Sequence, residues 1–323
     1  MRMRKLFLVL AAALALAPIR SAFAEGYPER PVRIINAYAA GGPADIMTRF
    51  AASYLQKELG GSFVVESRPG GNSTIGTQFV AHAAPDGYTL LMAANTHVII
   101  PSLYEVKTYD PIKDFVPLGV FAVADYVLVV NPALPVHTLS ELIAYARGKA
   151  AQLTYGSPAN GSLNDLAIEY LKQKQGLDIV RVPFTGGGPA VNAVMGGEVS
   201  MMVSTMPSAL PLIKAGRLTA IAVTGSKGYA GLPDTPTADS TVPGMQARAW
   251  YSFLAPAGTP QPIVDKLTAA IAKFVASDEF KTRIEGLGAE PADMDIATFR
   301  QFMRSEQTKW AGVAASANIK FAQ

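Results

Sequence analysis

The chain has 323 residues, half of them hydrophobic, with 28 basic and 25 acidic residues and no cysteine. That length and apolar fraction suffice for one large or two medium domains held by their cores alone. The missing thiols exclude disulfides, cysteine metal sites, thiol nucleophiles and an acylated lipoprotein anchor.

The first segment accounts for the net positive charge. "MRMRK" is a short basic region, "LFLVLAAALALAPI" an apolar run too short for a membrane span, and Ala22-Phe23-Ala24 an A-x-A cleavage site. Together they predict a secretory signal peptide cut after Ala24. Its loss removes Arg2, Arg4, Lys5 and Arg20 and turns a formal +3 into about −1. The mature chain then has no basic footprint for nucleic acid or anionic lipid. An exported, unanchored protein of this kind is expected in the periplasm.

Along the mature chain, short Val/Ile/Leu-rich runs alternate with small-residue loops and helical spacing. Strands are predicted at 32–38, 62–66, 89–93, 126–130, 153–156, 179–182, 199–203 and 218–223. Helices are predicted at 44–59, 139–148, 163–175, 189–195 and 262–276. This order means an α/β protein with mostly parallel sheets. In the first helix Ile46, Met47, Phe50, Tyr54 and Leu55 form one apolar stripe, and Pro43 suits its first position. Ser162-Leu163-Asn164-Asp165 gives a capping-box-like start to the helix at 163. Thr138 or Ser140 can cap the one at 139. Asp234 and Asp239 fall in a proline-rich loop, "LPDTPTADS". Trp250 opens "WYSFLAPAGTP", and Trp310, in a C-terminal helical region, is expected to pack on the outside of a lobe.

One device recurs. Strand, glycine turn and helix start appear in "YAAGGPADIMTRF", "TYGSPANGSLNDLAIEYL" and "VPFTGGGPAVNAVMGG". The repetition suggests two α/β lobes whose turns line a shared cleft. The first N–H groups of a helix lack internal partners and sit at the positive end of its dipole. Each charge-assisted hydrogen bond to an anion contributes about 1.5–3 kcal/mol. Three or four would supply the roughly 8 kcal/mol of a micromolar complex, before the costs of binding. None of the turns contains Lys or Arg, which polyphosphate sites usually recruit. Asp45 and Asp165, just inside two helix starts, would repel a highly charged ligand. A single carboxylate or small dicarboxylate suits these turns best.

Catalytic patterns are weak. The three histidines, His82, His97 and His137, lie outside any H-E-x-x-H or G-x-S-x-G context. His97, after a strand end, is the strongest chemical candidate of the three. Met195, Met201, Met202 and Met206 are expected to fill core gaps.

In order, "AGGPAD", "ESRPGGNSTIG", "PDGYTLLMAANT", "YDPIKDFVPLG", "LVVNPALPVHTLSELIAYA", "YGSPANGS", "VPFTGGGPAVNAVMGGEVSMM", "LPLIKAGRLTAIAVTG", "LPDTPT" and "WYSFLAPAGTP" span nearly the whole mature chain. A chain with these segments resembles the Bug (Bordetella uptake gene) receptors of the tripartite tricarboxylate transporter class. The resemblance implies a two-lobed, type II-like α/β periplasmic binding protein with crossover strands and a ligand cleft between the lobes. Lobe 1 would be residues 25–122 plus 250–323, and lobe 2 residues 123–249. It further implies carboxylate binding by backbone and water contacts, without a salt bridge, cofactor, metal or catalytic residue. The contacts carried over are Ala40, Gly41, Gly42, Asn95 and Thr96 from lobe 1. From lobe 2 they are Ser157, Asn160, Gly161, Ser162, Thr185, Gly186, Gly187, Gly188 and Ser204.

Three positions depart from the family pattern. Ala37-Tyr38-Ala39-Ala40 replaces a "PFAAGG"-like run, Asn164-Asp165 stand where a His is common, and Val203-Ser204-Thr205 where an Asp is common. The ligand therefore does not follow from any relative. The expected function is a monomeric periplasmic receptor for a di- or tricarboxylate, an acidic amino acid or an aromatic acid, delivering it to inner-membrane permease subunits. The alternatives are an orphan sensor for a signalling partner, or an exported hydrolase using His97 and a neighbouring hydroxyl.

Overall fold

The computed structural model describes residues 26–104, 107–149, 153–292 and 294–320. The expected signal peptide and its cleavage point lie outside the described residues.

Two α/β halves share one continuous sheet. In the first half, β1 (Val32–Asn36) pairs in parallel with β2 (Phe63–Ser67) and β3 (Thr89–Ala93). In the second, β5 (Thr154–Ser157) pairs in parallel with β6 (Val180–Pro183) and β7 (Met201–Thr205). Between them run β4 (Phe115–Val130) and β9 (Arg248–Pro256), giving the order β2-β1-β3-β9-β4-β7-β5-β6. A short strand β8 (Thr219–Val223) and the two-residue β10 (Glu290–Pro291) also pair with β4. All pairings of β4 and β9 are antiparallel. The parallel expectation thus holds for the outer strands and fails at the centre. There the chain crosses between halves and returns, and a crossing strand must run against its neighbours.

β4 changes partners in mid-course. Up to Asp125 it pairs with β9, and from Tyr126 onward with β7 and β8. The change is pinned by Thr224, which is fully buried. Its hydroxyl accepts the Tyr126 N–H at 2.9 Å and lies 2.6 Å from the Ala247 carbonyl, to which it donates. Beside it, Arg248 forms ion pairs with Asp125 at 2.7 Å and Glu290 at 2.9 Å.

The helices pack where their apolar faces dictate. α1 (Pro43–Leu59) buries Ala44, Met47, Thr48, Ala51, Ala52 and Leu55, a 3–4 residue spacing built partly of alanine. Ile46, expected on this stripe, is 37% exposed. The other helices are α2 (Thr74–Ala81), the short α3 (Thr96–Ile99), α4 (Leu139–Lys149), α5 (Leu163–Gln175), α6 (Gly187–Gly196), α7 (Met206–Lys214), the single turn α8 (Ala238–Thr241), α9 (Gln261–Ala276), α10 (Asp278–Gly286) and α11 (Ile296–Ser316). Ser162 caps α5 and Thr138 caps α4, as the sequence suggests. Met201, Met202 and Met206 are buried in the core. No described helix is long and apolar enough to cross a membrane.

α11 bridges the halves. It packs on α3 and β4 on one side and on α5 on the other, where the Gln173 amide donates to the Val313 carbonyl at 2.9 Å. Trp310 lies within this interface at 1% exposure, donating from Nε1 to Glu306 at 3.0 Å. The expected outside position is therefore wrong. A helix that spans two halves has a buried face along most of its length. Trp250, on the opposite face of β9 from the cleft described below, packs edge-on against Phe299 of α11 at 5.1 Å.

Candidate functional site

The first turn is shaped by side chains that fold back on it. Asn36, fully buried at the end of β1, accepts the Tyr38 N–H at 3.2 Å and donates to the Tyr38 carbonyl at 3.2 Å. Gly41 adopts φ +80°, which glycine reaches without steric cost. That bend aims its N–H at Asp45 Oδ2, 3.0 Å away. Gly42 caps α1 with extended backbone and no side-chain hydrogen bond. Burial works to raise the Asp45 carboxyl, but the Arg49 guanidinium, the Gly41 N–H and Asn36 outweigh it and hold it below its ordinary value.

The second turn repeats this arrangement. Gly161, at φ +69°, donates its N–H to Asp165 Oδ2 at 2.9 Å. The fully buried Asp165 also accepts from the Tyr155 hydroxyl at 2.8 Å and pairs with Arg181 at 3.1 Å. The third turn is tied to the second. The Gly186 N–H donates to the Pro158 carbonyl at 2.9 Å, and α6 then starts at Gly187 with no side-chain cap.

These turns face one another across a cleft of about 290 Å³, at the small end of ligand pockets. Gly42, Asn95, Thr96, Ser162, Gly187 and Ser204 are the sequence-predicted residues on its wall. Ala40, Gly41, Ser157, Asn160, Gly161, Thr185, Gly186 and Gly188 are not brought to the wall. The reasons are local. The N–H groups of Gly41, Gly161 and Gly186 are already engaged, as above, and Ser157 is fully buried. Ala40, Thr185 and Gly188 are exposed to solvent. The Asn160 carbonyl instead accepts from Asn72 Nδ2 at 3.4 Å, a contact between the two halves.

Two wall residues have their side chains committed elsewhere. Asn95 donates to the Arg248 carbonyl at 2.9 Å and to Glu306 at 3.4 Å, and accepts the Trp250 N–H at 3.3 Å. The Thr96 hydroxyl pairs with Tyr38 and Ser73 at 2.7 Å each. Tyr38 also accepts the Ala94 N–H at 3.0 Å, and burial pushes its phenol up to about 12.

Sequence reasoning missed several wall residues: Tyr38, Asn164, Tyr126, Met202, Thr205 and Tyr251 among them. Tyr38, Asn164 and Thr205 were legible as departures from a family pattern. Tyr126 and Tyr251 sit inside strands, where nothing local marks a ligand contact.

Among the described residues no charged side chain lines the cleft. Four helix N-termini do: α1 at Gly42, α5 at Ser162, α6 at Gly187 and α7 at Thr205. The first, third and fourth have no side-chain cap. Such a cleft is suited to holding a small anion by backbone N–H groups and helix dipoles. His97 is not on the wall. It is 1% exposed between Tyr109 and Phe115, and its Nε2 donates to the Pro111 carbonyl at 2.9 Å. Its burial lowers the imidazole to about 4. A histidine sealed in the core cannot act as a base on a molecule in the cleft. Among the described residues no group of acidic or histidine side chains is arranged to hold a metal.

Residues 47–319 match the family model described as the tripartite tricarboxylate transporter family receptor. Protein BugT of Bordetella pertussis is 33% identical over 327 residues, covering 99% of both chains. The fold superimposes on Rhodopseudomonas palustris Rpa4515 with adipate at TM-score 0.83 and 32% identity, covering 92% of this chain and all of that one. It also superimposes on MatC from the same organism with bound malate at TM-score 0.79 and 32% identity, covering 89% and 99%.

Proposed function

The chain belongs to the tripartite tricarboxylate transporter receptor family, a family of periplasmic solute-binding proteins, and from that premise we propose that it binds a small organic carboxylate. The observation that carries this reading is a cleft with helix N-termini from both halves and no charged side chain. Uncapped N–H groups complement one carboxylate; they neutralise a polyphosphate poorly. Gly42 and Gly187, one from each half on the cleft wall, are the primary contacts, with Ser162 and Ser204 on the same wall. Adipate in one relative and malate in another support the class.

The chain acts as a monomer after export and cleavage at Ala24, and hands its ligand to inner-membrane permease subunits. The lobes are residues 25–122 plus 250–323 and residues 123–249. Support for limits close to these comes from β4, which changes partners between Asp125 and Tyr126, and from β9, which begins at Arg248. An orphan sensor would use the same cleft and differ only in the partner of the ligand-bound protein. Native mass spectrometry of freshly purified protein tests the reading. A retained organic acid is expected, and a retained cation, sugar or nucleotide would refute it.

A further inference from the structure

The two strands that join the halves each place a tyrosine over the cleft. Residues alternate faces along a strand, and directly paired residues share a face. On β4 this puts Ala122, Ala124 and Tyr126 on one side; the β9 partners of Ala122 and Ala124 are Tyr251 and Ala249. The surface between the two phenols is therefore alanine, which leaves room above the sheet. Tyr126 and Tyr251 are each 5% exposed, and both line the cleft.

Among the described residues neither phenol hydroxyl has a hydrogen-bond partner. Tyr38, in the same cleft, is the contrast: its hydroxyl is held by Ala94 and Thr96. A buried hydroxyl is normally hydrogen-bonded, and one left open into a cavity is a donor awaiting an acceptor. Burial raises both phenols; Tyr251 and Tyr38 further oppose ionisation of Tyr126, and Tyr38 that of Tyr251. They stay protonated and uncharged across the physiological range. Both are firmly placed: Thr224 ties the Tyr126 backbone, and Tyr251 lies in the middle of β9.

We propose that Tyr126 and Tyr251 are specificity-determining donors that read a second oxygen acceptor on the ligand, so that the protein selects carboxylic acids with an acceptor at each end. This rests on the reading of the cleft as a carboxylate site. One carboxylate meets the helix N-termini; the far oxygen meets the two phenols at the connecting strands. A neutral pair of donors can take a carboxylate, a keto group or a hydroxyl, whereas a plain alkyl tail leaves both hydroxyls unpaired.

The experiment is a calorimetric titration of straight-chain diacids of four to eight carbons against the monoacid of the same length. It is run on the wild type, Tyr126→Phe and Tyr251→Phe, with melting curves to confirm folding. The wild type should prefer the best diacid over its matched monoacid by about tenfold or more. Each phenylalanine variant should lose most of that preference by weakening the diacid alone. Equal binding of diacid and monoacid to the wild type overturns the inference while leaving the carboxylate reading intact. So does a preference that survives in both variants. Binding of no acid in the series overturns both.

Discussion

The Gly161 N–H donates to the Asp165 carboxylate at 2.9 Å, and Gly41 stands in the same relation to Asp45 at 3.0 Å. In each half an aspartate four residues on pulls a glycine N–H inward, which tightens the turn and leaves the following helix N-terminus to face the cleft. The aspartates therefore shape the site without touching what it holds. Asp165→Asn should destabilise the protein by about 2–3 kcal/mol, because charge-assisted bonds from Gly161 and Tyr155 weaken and Arg181 loses its partner. Urea unfolding at pH 7 measures it. A loss below about 0.5 kcal/mol would remove the aspartate from this role.

Gly187 is the sharpest probe of the wall. A Cβ built there meets nothing within 4 Å, and its backbone is not left-handed. Gly187→Val should fold normally and place its side chain where the anion sits. Affinity for the retained acid should fall by about tenfold or more, equivalent to about 1.4 kcal/mol. Gly228→Val, also with open space around its Cβ, is the matched surface control and should leave affinity unchanged.

Much of the fold was legible because the periodicity was local. β3 and α5 have the bounds expected from their residues alone, and the glycine turns were found from small residues at strand ends. β9 was not resolved as a strand: "RAWYSFLAP" is buried on both faces, so the alternation that marks a half-buried strand is absent. The first part of β4 escaped for the same reason. α2 follows Asn72 and Ser73, both at positive φ, and its Thr- and Gly-containing sequence has weak helix propensity. At the site, the sequence located the turns but not which N–H groups remained free. That depended on Asp45, Asp165 and Pro158 capturing three of them, which no spacing rule reveals.

His97 makes stability depend on pH. Its imidazole is lowered from 6.5 to about 4 by burial, so the unfolded chain takes up the proton first. The stabilisation is complete above pH 6.5 and declines as pH falls toward 4. Between pH 7.5 and pH 5 the wild type should lose about 2 kcal/mol through this group. His97→Gln, whose amide can keep the Pro111 bond, should lose that slope. Glu306, whose carboxyl is raised by burial, acts in the opposite sense in both proteins and cancels in the difference. Parallel slopes in thermal unfolding of the two proteins would contradict the assignment.

Ligand binding should change the emission of both tryptophans. Asn95, on the cleft wall, contacts the Trp250 backbone and also Glu306, which holds the Trp310 indole. Trp250→Phe and Trp310→Phe should each retain part of the wild-type signal on titration. The Asn72–Asn160 contact joins the halves. Asn72→Gly keeps the left-handed backbone but removes the amide, and should weaken binding about two- to tenfold, chiefly through faster release in stopped-flow traces. An unchanged release rate would mean that the contact does not hold the two halves together over the ligand.

The most direct test of the central claim is a calorimetric titration of the acid retained by the native protein, alongside its methyl ester, at low and high salt. The free acid should bind with little dependence on salt, because buried backbone dipoles are screened far less than exposed ion pairs. The ester should bind at least about a hundredfold more weakly, having lost the charge that the helix N-termini complement. An ester that binds as well as the acid would show that the cleft does not recognise a carboxylate.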